Sequence, residues 1–342
     1  MTGRFHRRGA VLWAIALLCL CVATAHAGTA GDVRDRGHLN CGVTDGLPGF
    51  SAADASGNWS GLDTDFCRAV AGAVLGDGAK VRFVPVSKDG RFSALQAGEI
   101  DVLPRVAWTM QNATASGISF AGVIYYENQG LMVRRKLEVQ SALELSGAEV
   151  CTAAGTAAEA NIGDFFRSHG MPYKFVTFAK ADEALSAYEV GRCDAYAASL
   201  SSLASQRQKL ANPEDHIVLP EPIAKEPLAP AVRASDPQWL SVVSWTLFAL
   251  IDAEELGVSK DNAASMAVSS AAPGVKRLLG AETDLGKPIG LGKDWALQAI
   301  EAAGNYGDMF ERNLGAQSGL NIDRGLNRLW NKGGILFAPP VR

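Results

Sequence analysis

Histidine is scarce in this chain, and its basic residues are scattered. Of five histidines in 342 residues, only His38, His169 and His216 lie beyond the first 27. No H-x-x-x-H or C-x-x-C spacing occurs, which argues against a metal centre. No G-x-S-x-G elbow is present, so that form of serine hydrolase is not indicated. Gly280–Lys287 has one spacer too many for a phosphate loop and runs into Pro288, and no cofactor is implied. A net charge of −4 without a clustered basic stretch excludes nucleic acid and anionic membrane as expected partners. Long apolar runs are missing too. Ala10–Ala23 has 14 residues, short of the roughly 20 that a membrane helix needs.

That run has a different meaning in context. Arg4, Arg7 and Arg8 precede it, and Ala25-His26-Ala27 follows as an A-x-A cleavage signal before Gly28. This order describes a secretory signal peptide over residues 1–27. Leu18-Cys19 and Leu20-Cys21 lack the small residue that normally precedes a lipid-attachment cysteine, so the expected product is released, not anchored. Removing three arginines takes the net charge from −4 to −7. Four cysteines remain, Cys41, Cys67, Cys151 and Cys193, and they allow three pairings. An oxidising compartment favours disulfides. The expected pairs join segments close in sequence, Cys41 with Cys67 and Cys151 with Cys193; buried free thiols are the alternative.

Two runs of alternating strand and helix patterns follow. The first reads as strand 39–43, helix 63–75 stopped by Gly76-Asp77-Gly78, strand 80–86, short helix 92–96 and strand 100–103. Such alternation points to a parallel α/β sheet. The second reads as a strand at Val150, helix 157–168, strand 173–178, helix 181–190 and strand 193–197. Extended crossings are expected at 129–135 and at 221–232, the second punctuated by Pro222, Pro227 and Pro230. The remainder reads as helices 239–255, 262–268, 275–279 and 295–314. Two lobes joined by two crossings make a hinged clamshell, with ligands beyond the carboxyl ends of the strands. The facing loops are expected at 44–51, 106–114, 154–159 and 197–202.

At this point a family becomes recognisable. CGVTDGLPGFSA (41–52), GLDTDFCRAVAGAVLGD (61–77), RFSALQAGEIDVLPR (91–105) and YYENQGLMV (125–133) carry the resemblance. GRCDAY (191–196), KEPLAPAVR (225–233), AEELGV (253–258), NYGDMFERNL (305–314) and GLNRLWNKGGILFAPPVR (325–342) extend it. The chain resembles the family-3 solute-binding proteins of bacterial amino-acid ABC importers, most of all the general L-amino-acid-binding branch. The resemblance implies an α/β, type II periplasmic-binding-protein clamshell of parallel-rich sheets flanked by helices, with extra C-terminal helices. It implies a first lobe over 28–133, a second over 134–226, and a return with a helical extension over 227–342. It also implies a periplasmic monomer that captures a small-molecule solute by lobe closure and presents it to an inner-membrane ABC permease.

The polar anchors that the resemblance implies for an amino-acid ligand are altered. The family's carboxylate-binding arginine ends a segment like R-N-T-T-W-T-L-S-R. Here Arg105–Asn112 is one residue shorter, Asn112 stands where that arginine belongs, and Ala107 replaces a hydroxyl. The family's G-T-T is Gly155-Thr156-Ala157, and the ammonium-binding aspartate falls on Ser199. Losing one partner of a buried pair costs about 3–5 kcal/mol, a hundred-fold or more in affinity. Asn112, Thr156 and Ser199 are therefore expected to offer neutral hydrogen bonds, with Leu47, Phe50 and Trp108 as apolar walls beside Ala107 and Ala157. Core packing is the alternative for Phe50 and Trp108. Arg105 is expected to be structural, and Asp45 an exposed turn residue. The ligand implied is a neutral solute or a modified or non-standard amino acid. Two other classes stay open: a ligand-free sensory or partner-binding scaffold, and an enzyme on the same fold, for which the loops offer only Asp45 and Glu159.

Overall fold

The computed structural model describes residues 28–44, 46–115, 117–221 and 223–342. The signal-peptide expectation, Asp45 and Pro222 lie outside the described residues. The first lobe begins with helix α1 (Gly28–Arg36), not anticipated from sequence, and strand β1 (Leu39–Val43). The hairpin β2 (Ala52–Ala53) and β3 (Trp59–Ser60) leads into α2 (Leu62–Leu75). Then come β4 (Val81–Pro85), α3 (Arg91–Gln96), β5 (Leu103–Ala107), α4 (Met110–Ala115), β6 (Ile118–Phe120) and β7 (Tyr125–Glu127). Strands β1 and β4 pair in parallel, with Cys41 opposite Phe83. The strand expected at 100–103 starts later. Ile100 is buried under the lobe, and Cys41 meets Val102 only as an isolated bridge.

Helix α2 explains much of this lobe. Phe66, Ala69, Val70 and Ala73 are buried along it, and Gly76 ends it at φ 68°, donating to the Gly72 carbonyl. A left-handed terminus of this kind favours glycine. Gly72 has a separate reason to lack a side chain: a Cβ there would sit 2.6 Å from the Gln298 carbonyl oxygen.

The second lobe is built from β8 (Gln129–Arg134), β9 (Glu149–Ala153), α5 (Ala157–Ser168), β10 (Lys174–Phe178), α6 (Ala181–Glu189), β11 (Ala195–Ser199), α7 (Leu200–Arg207) and β12 (His216–Val218). Its five strands run β10-β9-β11-β8-β12, parallel around β9 and antiparallel where β8 pairs β11 and β12. Residues 129–133, placed with the first lobe from sequence, thus form a central strand of the second sheet. The loop expected at 197–202 is instead the end of β11 and the first turn of α7. His216 is buried, with Nδ1 2.7 Å from the Tyr188 hydroxyl.

The chain returns through β13 (Glu226–Arg233), which pairs antiparallel with β5, β6 and β7. Helices α8 (Pro237–Glu255), α9 (Ala263–Ser269), α10 (Pro273–Leu278), α11 (Trp295–Ala303) and α12 (Tyr306–Asn313) follow. The single helix expected over 295–314 is broken. Gly304 takes φ 88°, and Asn305 starts α12 with a reciprocal capping box to Asp308, which satisfies donors at the new helix start. Among the described residues no helix is long and apolar enough to cross a membrane.

Both expected disulfides are present, Cys41–Cys67 and Cys151–Cys193, spanning 26 and 42 residues of sequence. Loop closure of that length stabilises the fold by about 3–4 kcal/mol. Replacing Cys151 and Cys193 together by serine is expected to lower the unfolding free energy by about that amount, read from urea denaturation.

The C-terminal extension is tied back by the Val341 N–H, which donates to Asp252 Oδ2 at 2.9 Å. Burial, with Glu255 nearby, pushes the Asp252 carboxyl up to about 6. A raised carboxyl favours the fold while protonated, and that contribution is lost as pH climbs from near 4 through 6. Asp252→Asn keeps an acceptor for Val341. It is expected to gain stability relative to the parent between pH 4 and pH 7, by on the order of 1–2 kcal/mol after solvent screening, read from thermal melts across that range.

Candidate functional site

On the second lobe, the ends of β9 and β11 open onto a cavity of about 240 Å³. Thr156, Ala157 and Ser199 line it together. Their side chains, however, are engaged locally. Thr156 caps α5: its Oγ1 accepts from the Glu159 N–H at 3.2 Å and donates to the Ala153 carbonyl at 2.8 Å. Glu159 turns back to accept from the Gly155 N–H at 2.7 Å. Ser199 caps α7, donating to Ser202 Oγ at 2.8 Å and accepting from the Ser202 N–H at 3.3 Å. What α5 still offers is its first-turn N–H groups, the donors that any helix start leaves without an intrahelical acceptor.

On the first lobe, the shortened segment folds onto itself. Asn112 sits in α4, and its Nδ2 donates to the Ala107 carbonyl at 2.8 Å while its N–H donates to Thr109 Oγ1 at 3.2 Å. The Asn112 amide therefore closes the turn after β5. Trp108 donates its backbone N–H to the Pro227 carbonyl at 2.8 Å, and its ring stacks on Phe120 with centroids 5.0 Å apart. The indole remains 41% exposed, so it presents an open apolar face. Leu47 is half-buried and bridges Ser51.

Phe50 is fully buried and meets Tyr125 edge-on at 5.2 Å. It is a floor under Arg105, whose guanidinium lies 3.9 Å from the ring centroid. Arg105 Nε donates to Asp63 at 2.9 and 3.2 Å. Burial pushes the Asp63 carboxyl up, and the guanidinium opposes that pull. The structural role expected for Arg105 is what this geometry gives.

Three polar residues at the crossings were not singled out from sequence. Glu127 is buried and accepts from the hydroxyl and N–H of Ser201 and from the Asn128 N–H. Burial raises its carboxyl against those hydrogen bonds. Glu226 and Gln129 both line the cavity, and Gln129 Nε2 donates to Glu226 Oε2 at 2.8 Å. The available signal was the KEP tripeptide at 225–227, a charged pair inside a crossing that otherwise reads as apolar. Among the described residues, no group of three or more histidines, cysteines or carboxylates is gathered that could hold a metal ion.

Residues 39–261 match the bacterial extracellular solute-binding proteins, family 3. The chain belongs to this family. It is 52% identical over 330 residues to the general L-amino acid-binding periplasmic protein of Rhizobium johnstonii, covering 96% of each chain. It is 45% identical over 337 residues to the glutamate/glutamine/aspartate/asparagine-binding protein of Rhodobacter capsulatus, covering 98% of this chain and 100% of that one. A Brucella ovis periplasmic binding protein solved with glutathione bound superposes with a TM-score of 0.85 at 50% identity, covering 93% of this chain and 100% of that chain. The Rhizobium relative is a periplasmic amino-acid-binding protein and the Brucella one an ABC transporter periplasmic binding protein, and the two-lobed fold is shared with the latter.

Arg105→Met leaves Asp63 buried without its cation. It is expected to cost about 3–5 kcal/mol of stability, read from urea denaturation, and the double variant with Asp63→Leu is expected to recover a large part of that loss.

Proposed function

We propose that this family-3 protein captures an amino-acid-related solute between its lobes, with specificity moved away from standard α-amino acids. The solute would then pass to an inner-membrane ABC permease. The observation that carries the altered specificity is Asn112: it stands at the carboxylate-binding arginine's position, and its amide is committed to the Ala107 carbonyl. A ligand α-carboxylate would then meet neutral N–H groups at α5 in place of a guanidinium. Neutral donors of this kind hold a charge less strongly than a bidentate arginine. Leu47, Ala107 and Trp108 on one side, and Thr156, Ala157 and Ser199 on the other, are the residues proposed to face the solute, with Phe50 supporting from beneath.

The reading is of a binding protein whose closed state the ligand favours. It includes export through residues 1–27, a monomer, and division of the chain near 128 and 225, where the strands change sheets. That the relatives include a protein solved with glutathione adds small peptides with amino-acid ends to the ligand classes to be tried.

Thermal melts test this across amino acids, amino-acid amides, N-acetyl amino acids, amines, sugars and glutathione, on protein unfolded and refolded to strip any carried-over solute. A ligand at a hundred times its dissociation constant adds about 2.7 kcal/mol, a rise of about 4 °C for a chain this size. Standard L-amino acids are expected to bind at least about a hundred-fold more weakly than the best modified amino acid, amide or peptide. Equal or tighter binding of ordinary L-amino acids would sink the altered specificity, and silence across the panel would favour the ligand-free scaffold.

A further inference from the structure

The cavity on the second lobe contains a carboxylate that no resemblance predicted. Glu226 is the first residue of β13, on the chain's return to the first lobe, yet it lines the same cavity as Thr156 and Ser199. Its position is fixed from both lobes. Glu226 and Glu127 are register partners across β13 and β7, and Pro227 receives the Trp108 N–H. From the other lobe Gln129, itself the register partner of Ser199, donates to Glu226 Oε2 at 2.8 Å. That amide is the only hydrogen-bond partner of the Glu226 side chain among the described residues, which also supply no ion pair to it. One carboxylate oxygen thus remains to accept. Arg105 provides no counter-charge here, because its guanidinium is held against Asp63 and Phe50.

A half-buried carboxylate with one oxygen held by an amide and no cation beside it is complementary to an ammonium. We propose that Glu226, positioned by Gln129, receives the ammonium of the solute in place of the aspartate replaced by Ser199, so that the ligands of this protein are amine-bearing solutes. This deepens the reading of capture in the cleft and rests on it. It also explains how the protein keeps one fixed charge for recognition while Ser199 serves as a helix cap. The ligand then needs an amine, whereas its carboxyl group is free to be amidated, peptide-linked or remote.

The test is calorimetric titration of the purified protein and of Glu226→Gln with three matched pairs: glutathione, L-glutamine and L-alaninamide, each beside its N-acetyl derivative. In the parent protein at least one free amine is expected to bind, at least about 20-fold more tightly than its acetylated partner. Glu226→Gln is expected to erase that preference by weakening only the free amine. Its unliganded melting temperature is expected to stay within about 2 °C, since the glutamine carbonyl still accepts from Gln129. Equal loss of both members of a pair would make Glu226 a structural residue and overturn the proposal. So would an unchanged preference in the variant, or binding of the acetylated probes as well as the amines. Absence of binding by all three amines would overturn it too. Capture in the cleft would then still stand if another class in the thermal panel binds, and would fall with it only if the whole panel is silent.

Discussion

The strand pair formed by β7 and β13, with Glu127 opposite Glu226, is the constraint on which the two-lobed arrangement depends. The chain leaves the first lobe just beyond one of these residues and re-enters it at the other. The two passages are therefore held side by side by a backbone ladder, which resists splaying but bends easily across its plane. Each passage is also tied to the second lobe by one side chain. Glu127 accepts from Ser201 at the start of α7, and Glu226 accepts from Gln129 at the start of β8. Motion of one lobe against the other must keep or exchange these bonds. The crossings thus carry the bonds that join the two lobes, and the Glu226 carboxylate on the cavity wall belongs to one of them.

Much of this arrangement is legible in the sequence. Helix α2 follows from apolar spacing and a glycine stop, helix α5 from the helical pattern read over 157–168, and both disulfides from sequence proximity in an exported chain. What was missed has identifiable causes. The break between α11 and α12 is invisible to hydrophobic period, because Ala296, Ala299, Ala303, Tyr306 and Phe310 keep three- and four-residue spacing through it. Only Gly304 and the Asn305–Asp308 pair mark the interruption. The serine-rich stretch 199–202 reads as a loop by composition, yet Ser199 spends its hydroxyl on starting α7. Short polar residues favour caps and turns for the same reason, so composition alone does not separate the two.

Site residues were less legible than fold, because a residue type fixes a chemistry but not a partner. Asn112, Thr156 and Ser199 were sought as ligand donors, and each is found bonded to the backbone or side chains of its own turn. Replacing an aspartate or arginine by a short neutral residue removes reach as well as charge. The shorter side chain then satisfies the nearest peptide groups, which would otherwise lie without partners when the cleft closes. Asn112, Thr156 and Ser199 thus stabilise their own turns and withdraw their polar groups into local bonds.

That withdrawal shifts the burden of recognition to groups fixed by tertiary structure. Arg105 is neutralised by Asp63, and Glu127 is surrounded by donors from Ser201 and Asn128. Of the charged groups near the crossings, Glu226 alone combines a place on the cavity wall with a single neutral partner. A site with one anion and neutral donors discriminates by a different rule from one with paired charges. With Glu226 as the proposed ammonium receptor, such a site would reject a solute without an amine, because the carboxylate would then be desolvated without compensation on closure. Towards the far end of the solute it would be permissive, since helix N–H groups can donate to a carboxylate, an amide or a peptide carbonyl.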